Sequence, residues 1–116
     1  MTEAVAGVDI VQEQFRLAAG EPLSARVRAA AERAARPSSH AIELRISAED
    51  PARVFAPAPG RITRWRMPSG PGIRVDTAVE EGDRVPGEYD PLVAKLIVHA
   101  EDRPGALPEI GGVVRP

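Results

Sequence analysis

The sequence predicts an α+β fold, with an N-terminal helix followed by a β-rich core. Three observations support this prediction. Apolar residues recur at helical spacing near the N-terminus, they alternate strictly with polar residues from His40 onward, and clusters of proline and glycine separate short apolar segments after Phe55. The proline and glycine clusters are interpreted as turns between short strands.

The N-terminal helix is predicted to begin after Asp9. Asp9 and Gln12 have the spacing of a capping box, in which the cap side chain accepts a hydrogen bond from a backbone N–H of the first turn. Gly20 and Pro22 are expected to end the helix. The apolar residues at helical spacing are Ile10, Val11, Phe15, Leu17 and Ala18. They predict a helix with one apolar stripe.

The β core is predicted to begin at His40. Beyond it, Ile42, Leu44 and Ile46 alternate with Glu43 and Arg45, as in a strand with one buried face. Proline and glycine clusters at 56–60 and 68–72 predict turns. The further predicted strands are 61–66, 73–79 and the apolar segment 92–99. Residues 101–116 contain three prolines and three glycines without a sustained period, which predicts an irregular tail over 104–116.

Composition excludes several classes of protein. A chain of 116 residues allows one small domain, and a net charge of -2 gives no field that would favour nucleic acid or an anionic membrane. The absence of cysteine excludes disulfides and thiolate ligands, and the two histidines are far apart in sequence, so we expect no metal site. The first fifteen residues have neither a basic start nor an apolar run, which favours a cytoplasmic protein.

Five segments together resemble the biotin carboxylase family. They are GVDIVQEQFRLAAGEPL, HAIELRISAEDP, FAPAPGRITRW, GPGIRVD and YDPLVAKLIVHAEDR, in unbroken order from about Thr2 to Arg103. The resemblance implies a fragment of the biotin carboxylase subunit or domain of an acetyl-CoA, propionyl-CoA, methylcrotonyl-CoA or pyruvate carboxylase. It also implies that the β core is mainly antiparallel and of the biotin carboxylase C-terminal domain type.

The resemblance divides the chain into four parts. Residues 1–23 are expected to be the helical remnant at the end of the ATP-grasp region, and 24–39 an Ala- and Arg-rich connection. Residues 40–103 are expected to form a partial C-terminal β domain, followed by the tail at 104–116. Full-length relatives use ATP, magnesium and biotin, but the residues that hold ATP and magnesium precede Thr2 in the family pattern. No cofactor-binding or metal-binding residue is therefore expected in this chain.

Arg74 is the one catalytic residue that the resemblance implies. In the family, the matching arginine contacts bicarbonate and faces the ureido oxygen of biotin. A fixed guanidinium would stabilise the negative charge that develops on this oxygen as biotin loses a proton. The alternative is structural: Arg74 lies on the solvent face of a strand and pairs with Asp76, two residues on and therefore on the same face.

Two other residues invite a functional interpretation. Lys95 follows an EGDRV segment, as in biotinyl and lipoyl carrier domains, but its position within an apolar segment favours a structural lysine in mid-strand. His40 opens the predicted core, where we expect a surface residue. Neither is expected to be catalytic.

The resulting functional hypothesis is a partial biotin carboxylase that is inactive alone. Its partner would be a biotin carboxylase or a biotin carboxyl carrier protein, with no nucleic acid or membrane partner. Two alternatives stay open: a non-catalytic partner-binding module of a carboxylase complex, and a biotinyl or lipoyl carrier modified at Lys95. Because the family's covering helix after Arg103 is expected to be lost, we also expect marginal stability or self-association.

Overall fold

The computed structural model describes residues 1–114 and begins with three helices. These are α1 (Thr2–Ala6), α2 (Ile10–Ala18) and α3 (Ala25–Arg33). The Gln12 N–H donates to Asp9 Oδ1 over 2.9 Å, and the Val27 N–H donates to Ser24 Oγ over 3.2 Å. Each bond satisfies a backbone donor that the start of a helix leaves without an intrahelical partner. The predicted start of α2 at Asp9 is therefore confirmed, whereas α1 was not predicted.

The β core contains one three-stranded sheet and two small ladders. The strands are β1 (His40–Ser47), β2 (Glu49–Asp50), β3 (Ala56–Pro57), β4 (Gly60–Arg61), β5 (Ile73–Thr77), β6 (Arg84–Val85) and β7 (Leu92–Ala100). The order in the main sheet is β1-β7-β5, and β2–β3 and β4–β6 form the ladders. The β5–β7, β2–β3 and β4–β6 pairs are antiparallel, which confirms the predicted α+β class.

The chain divides into two compact units. One comprises Met1–Ile42 and the described residues from His99 onward, and it buries Val8, Ala41, Ala106 and Ile110. The other is Glu43–Val98, and its buried apolar residues are Val85, Ala94, Leu96, Ile97 and Val98. Most of the second set belongs to β7, the central strand, as the apolar segment 92–99 predicted.

The expected irregular tail is wrong over residues 104–114. These residues belong to the helix α4 (Arg103–Val114). Asp102 caps this helix, because its Oδ1 accepts a hydrogen bond from the Gly105 N–H over 2.8 Å. Pro108 lies inside the helix, where a missing N–H costs about 3 kcal/mol. Burial of Ala106 and Ile110, one turn apart, favours the helix despite this cost. Residues 115–116 of the expected tail lie outside the described residues.

The apolar stripe of α2 is exposed within the described chain. Phe15 is 73% exposed and Val11 60%, whereas the buried residue of α2 is Glu13. Glu13 Oε1 accepts a hydrogen bond from Arg16 Nη1 over 3.0 Å, which partly offsets the cost of burying a charge. The predicted periodicity of α2 is therefore present, but residues 1–114 leave its apolar side uncovered. No helix in this range has the length and apolar character needed to cross a membrane.

Candidate functional site on the β5–β7 sheet face

A tight turn places Arg74 near the start of β5. The Ile73 N–H donates to the Gly70 carbonyl over 3.1 Å, with Pro71 and Gly72 at the two central positions. Gly72 has a φ of 73°, which a type II turn requires at its third residue and which glycine adopts without steric cost. The turn predicted at 68–72 therefore sets the position from which β5 enters the sheet.

The β5–β7 register determines which side chains share a face. Arg74 pairs with Ile97, and Asp76 pairs with Lys95. Residues directly opposite each other in an antiparallel pair point to the same side, and residues two apart on one strand do as well. Arg74, Asp76, Lys95 and Ile97 therefore lie on one face of the sheet, which places two cations and one carboxylate together.

Arg74 and Asp76 form an ion pair along β5. Arg74 Nε donates to Asp76 Oδ1 over 2.7 Å, and their side chains are 48% and 40% exposed. The structural interpretation of Arg74 predicted this ion pair. A carboxylate bonded to Nε also limits the rotation of the guanidinium plane, so the same contact can orient Arg74 toward a ligand. A fixed, partly exposed guanidinium is suited to binding an oxyanion.

Lys95 lies within the central strand and not at a hairpin tip. It is the fourth of nine residues in β7 and is half-buried. A carrier lysine has to extend into solvent to reach a modifying enzyme, so this position favours the predicted mid-strand lysine over a carrier site. The sequence did not reveal that Lys95 faces Asp76, because that relationship depends on the register of β5 against β7.

The geometry near His40 is consistent with a structural role. His40 is the first residue of β1, and its Nε2 lies 3.4 Å from Nη1 of Arg103 at the start of α4. Because arginine can only donate, Nε2 is the unprotonated ring nitrogen whenever this contact is a hydrogen bond. The contact joins two segments that are distant in sequence, and it includes no carboxylate or nucleophile.

The described residues contain no cluster of potential metal ligands. Within residues 1–114, no three histidine, cysteine or carboxylate side chains lie close enough to hold a metal ion together. Magnesium in nucleotide sites is held by one or two carboxylates together with substrate phosphates. A magnesium ion in such a site would depend on the phosphates of a bound nucleotide as well as on a carboxylate.

Sequence comparison identifies the family of the chain. The profile described as "Biotin carboxylase C-terminal domain" matches residues 43–114. The chain is 46% identical over 115 residues to the biotin carboxylase of Allochromatium vinosum, covering 99% of the chain and 24% of that relative. It is 42% identical over 107 residues to the biotin-dependent acyl-coenzyme A carboxylase alpha3 subunit of Mycobacterium leprae, covering 92% of the chain and 17% of that subunit. The chain thus spans about a quarter or less of these relatives.

Structural comparison agrees with the sequence match. The chain superimposes with a TM-score of 0.82 and 40% identity on the biotin carboxylase domain dimer of Hydrogenobacter thermophilus 2-oxoglutarate carboxylase, covering 96% of the chain and 23% of that domain. That structure is a complex with MgADP, ADP and bicarbonate. Rhizobium etli pyruvate carboxylase gives a TM-score of 0.83 at 32% identity, covering 96% of the chain and 11% of that enzyme. The chain belongs to the biotin carboxylase family and corresponds to the C-terminal domain of its members.

Proposed function

We propose that the chain supplies the biotin-facing C-terminal part of an ATP- and bicarbonate-dependent biotin carboxylase, with Arg74 as its catalytic residue. The Arg74–Asp76 ion pair carries this proposal, because it gives a partly exposed guanidinium a defined orientation on a rigid strand. A biotin carboxyl carrier protein would deliver the substrate. We also propose a cytoplasmic location for this activity.

Arg74 would act by electrostatic stabilisation. Removal of the ureido proton of biotin leaves negative charge on the ureido oxygen, and a guanidinium can donate hydrogen bonds to that oxygen. A preorganised donor that meets charge as it develops lowers the barrier, and loss of one such donor costs about 10²- to 10³-fold in rate. Asp76 would hold the arginine in place, so that little reorganisation is needed during the reaction.

The chain alone is proposed to be inactive. It corresponds to 24% of the Allochromatium relative, and its described residues provide no carboxylate cluster for magnesium. The remaining part of a carboxylase would bind ATP with magnesium and generate the activated carboxyl group. This chain would then contribute the guanidinium that faces biotin.

A graft experiment tests the proposal. The 115-residue matching segment of the Allochromatium biotin carboxylase is replaced by this chain, and biotin-dependent ATP hydrolysis is measured. We expect the graft to be active and the Arg74→Ala graft to lose at least about 100-fold in kcat. The matched control is Arg45→Ala, since Arg45 also pairs with an aspartate, Asp90, over 3.5 Å. Equal losses in both variants would contradict a catalytic role for Arg74.

A second function is favoured by the exposed side of α2. Val11 and Phe15, one turn apart, present apolar surface that a partner chain could cover. In this case the chain would be a non-catalytic module that binds a carboxylase. Co-purification with a biotin carboxylase subunit, abolished by Phe15→Gln but not by Arg74→Ala, would favour this function over the catalytic one.

A further inference from the structure

Arg61 and Arg84 lie directly opposite each other in the small ladder of β4 and β6. Opposite residues of an antiparallel pair share one side of the ladder, with their Cβ atoms about 4.5–5.5 Å apart. The other side carries Gly60 and Val85, and Val85 is 6% exposed, so that side faces the interior. Both arginines are exposed. The outer side of this ladder therefore presents two guanidinium groups next to each other.

The two guanidinium groups have no carboxylate at contact distance. Among residues 1–114, no aspartate or glutamate forms an ion pair with either arginine. The carboxylates beside the ladder bond to the backbone instead. Glu81 Oε2 accepts from the Trp65 N–H over 3.1 Å, and Asp83 Oδ2 accepts from the Glu80 N–H over 2.9 Å. Like charges directly opposite each other destabilise an antiparallel pair, so a bound carboxylate would offset a repulsion that the ladder itself contains.

The turn before β6 leaves one side of the Arg61 guanidinium open. Gly82 has a φ of 98°, a conformation that residues with a side chain rarely adopt. Its N–H donates to the Ile62 carbonyl over 2.8 Å, and the Ile62 N–H donates to the Asp83 carbonyl over 2.8 Å. A Cβ atom at Gly82 would lie 3.8 Å from Nη2 of Arg61. The turn thus holds β4 against β6 and places no side chain beside this guanidinium.

The charges around the ladder indicate the chemistry of a partner. The adjoining segments 60–66 and 80–85 contain four arginines and three carboxylates. A polyanion such as nucleic acid or an anionic membrane would meet these carboxylates as well as the arginines, and the net charge of -2 gives no field toward either. A protein segment can instead place individual carboxylates over the arginine pair. Charge complementarity therefore favours an acidic protein segment.

The position of the arginine pair favours a protein partner over a small anion. Sites for small ligands are concave and bury most of the ligand. The cavities of about 400 Å³ and 320 Å³ are lined by other residues and include neither Arg61 nor Arg84. An isolated ion pair at an exposed position is weak, because water and salt screen it. A protein segment adds contacts beside the charged ones, and arginine is enriched at protein interfaces.

We propose that Arg61 and Arg84 form a docking surface for an acidic segment of a partner protein. Each guanidinium would donate two parallel hydrogen bonds to a carboxylate, a geometry that the planar arginine fork matches. The ladder of β4 and β6 is a different one from the sheet that carries Arg74. The inference therefore goes beyond the proposed function and does not require Arg74 to be catalytic.

The test is an NMR titration of the full chain with hexaglutamate capped at both ends. The backbone amides and the Nε–Hε groups of the arginines are followed. We expect saturable shifts at Arg61 and Arg84, none with capped hexaglutamine, and several-fold weaker binding when salt rises from about 0.01 to 0.15 M. Shifts of equal size at Arg36, an exposed arginine outside the ladder, would overturn the proposal. Absent shifts would do so too, as would tighter binding of duplex DNA or anionic phospholipid vesicles to the same residues.

Arg84→Glu distinguishes docking from folding, because the two measurements are expected to change in opposite directions. Opposite charges across the ladder should raise the urea concentration at the midpoint of unfolding, while hexaglutamate binding weakens about tenfold. Arg36→Glu changes the net charge by the same amount and is the matched control, with an expected loss of less than about twofold. Unchanged binding in Arg84→Glu, or an equal loss in Arg36→Glu, would refute the docking surface.

Neutral substitutions keep the test valid if charge reversal unfolds the chain. Arg61→Gln and Arg84→Gln each remove one guanidinium and relieve the repulsion across the ladder. We expect each to weaken hexaglutamate binding about threefold without lowering the urea midpoint. Arg36→Gln is the matched control. Binding equal to that of the unsubstituted chain in both ladder variants would overturn the proposal.

Discussion

Arg74 Nε and Asp76 Oδ1 are joined by a 2.7 Å hydrogen bond between two residues on the same face of β5. The structural interpretation and the proposed catalytic role of Arg74 both include this contact. They differ in whether the pair stabilises only the fold or orients the arginine for a ligand. Substitution of Asp76 distinguishes the structural interpretation from the catalytic one.

Asp76→Asn is expected to lower the activity of the graft enzyme about tenfold in kcat. The amide can still accept a hydrogen bond but carries no charge, so it holds the guanidinium less firmly. We expect the free energy of unfolding to change by less than about 1 kcal/mol, because both side chains are substantially exposed. Asp90→Asn, in the Arg45 pair, is the control for a general effect of losing an ion pair. A stability loss with unchanged kcat would favour the structural interpretation.

Leu96→Ala is expected to destabilise the chain by about 2–5 kcal/mol, which is the usual cost of truncating a buried leucine. Leu96 is 2% exposed and lies in β7, the central strand of the sheet. Small domains have total stabilities of only about 5–15 kcal/mol, so the variant could lose cooperative unfolding altogether. Urea denaturation followed by circular dichroism measures the effect. Leu107→Ala, at a residue that is 48% exposed, is expected to cost much less.

Asp102→Ala is expected to lower stability by about 1 kcal/mol through loss of the α4 cap. The Oδ1 atom of Asp102 accepts from the Gly105 N–H, and that donor has no intrahelical partner without the cap. We expect a lower urea concentration at the midpoint of unfolding, together with a weaker helical signal in circular dichroism. Glu101→Ala is the control, since it removes the adjacent carboxylate. Identical effects from both substitutions would argue against the cap.

Phe15→Gln is expected to reduce self-association of the chain. Phe15 is 73% exposed on α2, and apolar surface of this kind favours contact between copies. Sedimentation velocity over a range of concentrations measures the change, and Gln14→Ala on the same helix is the control. A monomeric wild-type chain at all concentrations would contradict the expected self-association.

The prediction of an irregular tail was wrong over residues 104–114, where α4 forms, and the reason is physical. Local propensity at Pro104, Gly105 and Pro108 argues against a helix, and the tail was interpreted on that basis. The Asp102–Arg103–Pro104 sequence nevertheless has the form of an N-terminus, with a capping residue followed by a proline in the first turn. Ala106 and Ile110 have the spacing of one buried face. These weaker signals prevailed because burial of that face stabilises the helix.

The sequence by itself determined the α+β class, the Asp9 cap, the turn before β5 and the family, because each depends on residues close together in the chain or on motifs in fixed order. It also placed Arg74 and Asp76 on one face, since residues two apart on a strand point the same way. Only the tertiary structure decided that Lys95 faces Asp76 and that the apolar side of α2 is exposed. It also decided that α4 forms despite Pro108. Strand register and burial depend on contacts between residues far apart in the chain, which local patterns do not specify.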